Sequence, residues 1–303
     1  MDLTVFILAA AIAYAIPIVY AGLGGQISLT AGDLNIALEG EMLAGAFVAV
    51  LATYMLGSPW LGIAAALLAG AVLGLLFGVM IVVLKGDVFL VGITYNFLLA
   101  ALTVLLLGVI FGVRGSFSHP ELLGIPTVPI GPLAEIPLLG DVLAGQTWLA
   151  WLVVPLVLGW AYVLRSTRIG LRLRALGDNA QAVRSAGLDV ARMRLCVQVV
   201  CGMLCGLAGA QLALGSLTLF SAGMSAGRGF VALAIVILVG QRPWMLVLAA
   251  LLFGIADGVG IKLQQADMPA QFPQMLPYVV TLLALCIVSA RRWYAARRER
   301  TST

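Results

Sequence analysis

The sequence predicts an all-α protein, a polytopic membrane helix bundle of about nine spans, some of them broken, at about 20 residues per span. Three observations predict it. Of 303 residues, 62% are hydrophobic and 10% charged, with a mean hydropathy of +1.11, whereas soluble domains carry about 25% charged and 45–50% apolar residues. The apolar residues gather into runs of span length separated by short polar or glycine-rich stretches. The cations are not scattered: 12 of the 17 lie in two blocks, 165–194 and 291–300. This composition excludes a soluble enzyme, a secreted disulfide scaffold and a nucleic-acid binder.

The apolar runs fall at 3–21, 34–56, 60–84, 88–111, 147–164, 195–215, 229–240, 243–261 and 275–290. The start, Met1-Asp2-Leu3, has neither a basic segment nor a small-residue cleavage site, so the first run reads as a retained span. Arginine-rich loops stay in the cytoplasm. That places 165–194 inside and the polar stretch 112–146 outside, with its single Arg114 against Glu121, Glu135 and Asp141. Counting spans from there puts the N-terminus outside and the basic tail, 291–303, inside. Residues 1–290 then form one transmembrane domain with a cytoplasmic loop at 165–194 and an extracytoplasmic loop at 112–146.

The run 229–240 is only 12 residues, about 18 Å of helix in a hydrocarbon core of about 30 Å. A broken crossing resolves this, with Ser221–Gly227 as its non-helical part. Unwound backbone survives at membrane depth only against protein or a watery cavity. A second irregular stretch is expected over Gly22–Gly40, where Asp33, Asn35 and Glu39, with Glu41 just beyond, interrupt the apolar pattern. Ionisable groups there face a bundle interior or belong to a polar connector that caps the next helix. Glycines recur every four residues at Gly70, Gly74 and Gly78, at Gly202 and Gly206, and at Gly254 and Gly258, the spacing that lets helix backbones approach closely.

Enzyme chemistry finds little footing. The only lysines, Lys85 and Lys262, are not preceded by glycine, so no P-loop is present. His119 stands alone, without a partner at metal spacing. Cys196, Cys201, Cys205 and Cys286 form no C-x-x-C pair and read as small packing residues. Gly223-Met-Ser-Ala-Gly227 matches G-x-S-x-G by letter, which keeps an intramembrane serine protease as a rival reading. That chemistry needs a base beside the serine, and His119 is the one histidine available.

The most informative loop segment is Asp178-Asn-Ala-Gln181, which has the form of a capping box with Asp178 at the N-cap. The helix it starts, about Asn179 to Ala186, stops at Gly187, a left-handed cap residue. Two turns are too short to persist alone in water. A short capped helix on an arginine-rich loop suits a partner's groove or a layer of lipid headgroups. For a neutral polar ligand in the membrane, Asn35, Asn96, Gln211 and Asp257 are candidate hydrogen-bonding groups. Phe97, Phe220 and Phe230 are candidate stacking surfaces.

Four segments together carry a family resemblance. The loop holds Thr167, Gly170, Arg174, Gly177, Asn179, Ala182 and the run Gly187-Leu-Asp-Val190. The others are Asp33-Leu-Asn-Ile-Ala-Leu-Glu-Gly40, Gly227-Arg-Gly-Phe-Val-Ala-Leu-Ala234, and Arg242-Pro-Trp244 followed by Leu251-Leu-Phe-Gly-Ile-Ala-Asp257. Taken in chain order, over about residues 15 to 290, they resemble bacterial ABC-importer permeases of the branched-chain amino acid/ribose class, nucleoside or simple-sugar branch. The resemblance implies a permease for nucleosides, with simple sugars or branched-chain amino acids as alternative cargo, in the bacterial inner membrane. It implies a separate ATPase subunit docked on Arg174, Gly177, Asp178, Asn179, Ala182 and Gly187. It further implies a second permease subunit, paralogous or identical, and an extracytoplasmic substrate-binding protein. The chain itself would need no cofactor, with ATP and magnesium held by the ATPase, and no nucleic acid; lipid is its solvent. The substrate path is expected along Asn35, Glu39, Asn96, Phe230 and Asp257.

Overall fold

The computed structural model describes residues 3–129 and 145–264. The expected span at 275–290, the basic tail 291–303, Cys286 and most of the acidic half of the 112–146 loop lie outside the described residues.

The first helix, α1, is Leu3–Thr30. It runs well beyond the expected end at residue 21, so the glycine-rich stretch Gly22–Thr30 is helical rather than irregular. The reason is packing: a methyl added at Gly24 would lie 2.9 Å from the Cys201 carbonyl oxygen, and one at Gly25 would lie 3.2 Å from Leu38 and from Val236. The glycines give neighbouring backbone and side chains room to approach, and the polar residues between them find partners. Gln26 Nε2 donates to the Gly240 carbonyl (2.8 Å), and Gln198 Nε2 donates to Ser28 Oγ (3.0 Å).

Residues 31–37 are non-helical, and α2 follows at Leu38–Leu56. Next come α3 (Pro59–Gly78), extended by a π-helical turn over Val79–Val83, and α4 (Val88–Phe111), whose N-cap Asp87 accepts from the Leu90 amide. Thr147 caps α5 (Trp148–Ser166) and Thr167 caps α6 (Arg168–Asp178). The six-residue α7 (Ala180–Ser185) and α8 (Val190–Ala210) follow, the latter ending in a π-helical stretch, Gln211–Leu217. The last described helices are α9 (Arg228–Val239) and α10 (Pro243–Gln264). Two-residue strands β1 (Ser116–Phe117) and β2 (Phe220–Ser221) pair antiparallel, Ser116 opposite Ser221 and Phe117 opposite Phe220.

Among the described residues seven helices are long and apolar enough to cross a membrane, and α9 is a shorter apolar one. From β2, at the end carrying β1, the chain drops through the non-helical residues 222–227 into α9. It then reaches Gly240, bonded to Gln26 near the far end of α1. Residues 218–240 therefore join the two ends of the bundle as a broken segment, with Ser221–Gly227 largely non-helical as expected.

The helices α1, α2 and α8 are mostly buried, whereas α3, α4 and α5 keep most of their surface outside. The core is built on backbone contact. A methyl on Gly70 or Gly74 would collide with the Gly202 or Gln198 carbonyl, one on Gly206 with Ala66, and one on Gly254 with Ala11. Small-residue faces of this kind drive helix association in lipid, where apolar side chains gain nothing by leaving the solvent. The four-residue glycine spacing thus builds the α3–α8 and α1–α10 seams.

Candidate functional site

Three irregular pieces of backbone meet in this fold: the α6–α7 corner, the unwound 31–37, and the break before α9. At the first, Asn179 rather than Asp178 is the N-cap of α7. Its Oδ1 accepts from the Gln181 and Ala182 amides at 3.0 Å each. Asp178 is instead the last residue of α6, and the Asn179 amide closes that helix on the Ala175 carbonyl. Both residue types cap well, but only Asn179 has left the helix and taken extended backbone, so the expected capping box with Gln181 does not form. Gly187 adopts φ +82° after the helix, as its position predicts. On α7 only Val183 is buried; Gln181, Ala182, Arg184 and Ser185 present an exposed face. Arg174 is half-buried on α6.

Gly177 is the joint between this corner and the membrane core. A methyl there would collide with the Thr30 carbonyl at the end of α1. Gly32, in the left-handed region at φ +85°, packs its Cβ side 3.0 Å from the Gly177 Cα. Beside it Arg194 Nε lies 3.5 Å from Asp33 Oδ2. Burial pushes the Asp33 carboxyl above its ordinary range, and the Arg194 guanidinium pulls it back. The α6–α7 corner therefore bears directly on the unwound stretch.

That stretch is held by two carboxamides. Asn96, on α4, donates from Nδ2 to the Ile36 carbonyl (2.8 Å) and accepts at Oδ1 from the Gly40 amide (2.7 Å). It replaces the helical bonds that the backbone has lost. Asn35 accepts from the Ala37 amide (2.7 Å), and its Nδ2 lies 3.2 Å from Cys201 Sγ and 3.4 Å from both Glu41 oxygens. Asn35, Glu41, Cys201 and Cys205 are fully buried.

Glu39 fastens the third piece. Its Oε1 accepts from Ser225 Oγ (2.6 Å) and the Gly227 amide (2.8 Å), and its Oε2 accepts from the Gly229 amide (2.6 Å). A carboxylate at the first turn of α9 satisfies orphan amides and complements the positive end of the helix. Ser225 is thus spent on a carboxylate, and His119 sits among Tyr54 and Phe117 by β1. Among the described residues Ser225 and His119 make no contact with each other.

Arg228, the next residue on α9, donates to the Met224 carbonyl (3.1 Å) and lies 5.2 Å over the Tyr14 ring. It is also the charged neighbour of the half-buried Asp257 on α10. Phe230 is exposed on α9, Phe97 is exposed on α4, and Phe220 is fully buried against Phe47. Gln211 accepts from Thr147 Oγ1 (2.8 Å), tying α8 to the start of α5. Asn35, Glu39 and Asn96 therefore converge on one junction, with Asp257 joined to it through Arg228. Sequence reasoning named Ser225 only as a nucleophile and missed Arg228 and Gly32 as parts of this junction.

A multi-span bundle whose unwound segments touch an exposed corner helix is the architecture of a transporter's membrane subunit. The sequence matches the family described as "Branched-chain amino acid transport system / permease component" over residues 7–285. The chain belongs to that family. It is 35% identical over 286 residues to the nucleoside ABC transporter permease protein NupC of Lactococcus lactis subsp. cremoris, covering 90% of this chain and 89% of that one. It is 31% identical to the guanosine ABC transporter permease protein NupQ of Bacillus subtilis, covering 92% and 90%. The glucose ABC transporter permease protein TsgB13 of Haloferax volcanii is 29% identical, covering 89% and 74%. Among solved structures, an ABC transporter in an inward-facing conformation shares the fold. Its TM-score is 0.50 at 19% identity, covering 94% of this chain and 85% of that one.

Proposed function

We propose that this chain is the permease subunit of an ABC importer for nucleosides, driven by a separate ATPase that docks on the exposed face of α7. The observation that carries the proposal is the unbroken contact path from α7 to the break before α9. Gly177 bears on Thr30 and Gly32, the 31–37 stretch leads to Glu39, and Glu39 holds Ser225, Gly227 and Gly229. A displacement of the corner helices reaches both unwound segments through this path without crossing a flexible linker.

The docking set is Arg174, Gly177, Asp178, Asn179, Ala182 and Gly187, with ATP and magnesium bound by the ATPase. The substrate route runs beside the two unwound segments. Glu39, Phe230 and Asp257 border it, and Asn35 and Asn96 set the backbone that shapes it. A route with few uncompensated charges suits a neutral, polar, ring-bearing solute, and the relatives named for nucleosides and guanosine support that class. The arginine-rich end faces the cytoplasm, which puts β1 and β2 outside. A second permease subunit covers part of the exposed surface of α3 to α5, and a binding protein delivers solute to the outer end.

The test is uptake by proteoliposomes containing the chain with its ATPase, companion permease and binding protein, using labelled guanosine, glucose and leucine in parallel. ATP-dependent guanosine uptake with little glucose or leucine uptake is expected. Preferential glucose uptake would overturn the nucleoside assignment, and uptake without the ATPase would overturn the importer reading altogether.

A further inference from the structure

Apart from the contact path, the arginine-rich end holds a cavity of about 390 Å³ between the end of α5, the middle of α6 and the start of α10. Arg165, Arg174 and Arg242 open into it from three different elements, flanked by Leu164, Trp244 and Met245. Among the described residues none of the three guanidiniums has a hydrogen-bond or ion-pair partner. Among the described residues Asp33 is engaged with Arg194 and Asp189 with Arg192, and Asp178, four residues along α6 from Arg174, forms no ion pair with it. The Nε of Arg174 is both buried and unbonded.

Three like charges converging on one space repel each other, and a buried donor without an acceptor is costly. Both costs vanish when an anion with several acceptor oxygens enters. Guanidinium forks match tetrahedral oxyanions in geometry as well as charge. The positive end of the 22-residue α10 points at the same space. The cavity also sits where α5 leaves and α10 enters the bundle, with the half-exposed Trp244 on its rim. Such an indole prefers the headgroup level of a bilayer.

We propose that this cavity is a binding site for a phosphate group, either the phosphodiester of an anionic phospholipid or free phosphate. The binding does not require the transport reading, although Arg174 also belongs to the docking set proposed above. Its consequence is that the bound phosphate bridges α6, which carries the corner, to α10, which packs along α1.

The full-length chain in detergent would be examined by native mass spectrometry with added phosphatidylglycerol or phosphatidylcholine. A thermal-unfolding series in inorganic phosphate against chloride at matched ionic strength forms the second arm. Wild type, Arg165→Gln/Arg242→Gln and the control Arg168→Gln/Arg184→Gln are compared; both doubles remove two positive charges at the same end. The expected result is about tenfold weaker retention of phosphatidylglycerol in the cavity double alone, with phosphatidylcholine ignored by all three. Should phosphate raise the unfolding midpoint of wild type and the control but not the cavity double, with no lipid preference, the source is free phosphate. Equal behaviour of the two doubles in both arms would overturn the proposal. Should the cavity double not elute as a monodisperse species, Arg242→Gln alone, at an exposed position, decides on the same readouts.

Discussion

Glu39 is the residue on which the junction depends most. Its two oxygens receive three hydrogen bonds from the segment that enters α9. Glu39→Ala strands those part-buried donors, at a cost of about 2–4 kcal/mol for the group. Glu39→Gln keeps an acceptor but loses the charge at the helix terminus, a loss of about 1 kcal/mol. Thermal unfolding in detergent should therefore rank wild type above the glutamine variant and the glutamine variant well above alanine. Glutamine and alanine falling together would mean that charge, not hydrogen bonding, does the fastening. This pairing is invisible in the sequence, because Glu39 and Ser225 are 186 positions apart. An acid near the start of a helix is ordinarily read as capping its own helix. The polarity of Asn35, Glu39 and Asn96 against an apolar background was legible, since each is expensive in lipid unless partnered. Their partners were not.

Among the elements, α7 depends most on a single side chain. Six residues cannot hold a helix by propagation, so the two amides accepted by Asn179 and the burial of Val183 carry it. Asn179→Ala should cost about 1 kcal/mol, enough to fray so short a helix. On the proposed docking, binding of a partner ATPase should then weaken, measured by co-purification, while membrane insertion is unaffected. Asn179→Asp, which retains the acceptor, should restore binding. An alanine variant that co-purifies normally would remove α7 from the docking surface. The existence of this helix and its stop at Gly187 were readable from residue types. The cap was misplaced by one position because both Asp178 and Asn179 qualify chemically. The choice falls to whether α6 closes on the Asn179 amide, a backbone matter. The length of α1 was misread for a related reason: Gly22, Gly24 and Gly25 look like breakers until the helices that press against them are known.

Over the whole molecule, the apolar runs located every described long helix, and the glycine periodicity located the seams. A run of about 20 apolar residues has few alternatives to a spanning helix, and glycine at four-residue spacing has few uses other than close approach. The π-helical stretches at Val79–Val83 and Gln211–Leu217 left no such mark. The seam between α3 and α8 sets a strong prediction. Gly202→Leu drives a side chain into the Gly70 carbonyl and the Gly74 backbone, so the variant should lose folded yield and unfold at lower temperature. Gly159→Leu, in α5 with open space around its Cβ position, should be tolerated. Equal yields from the two would mean that the seam opens cheaply.

Two helices that touch main chain to main chain have no side chains to slide over one another. The pair α3 and α8 must then travel as a single plank, with α2 lodged against both. Any change of shape in this subunit is consequently displaced onto its neighbours, the short α9 and the corner at Gly177, which supply the pivots.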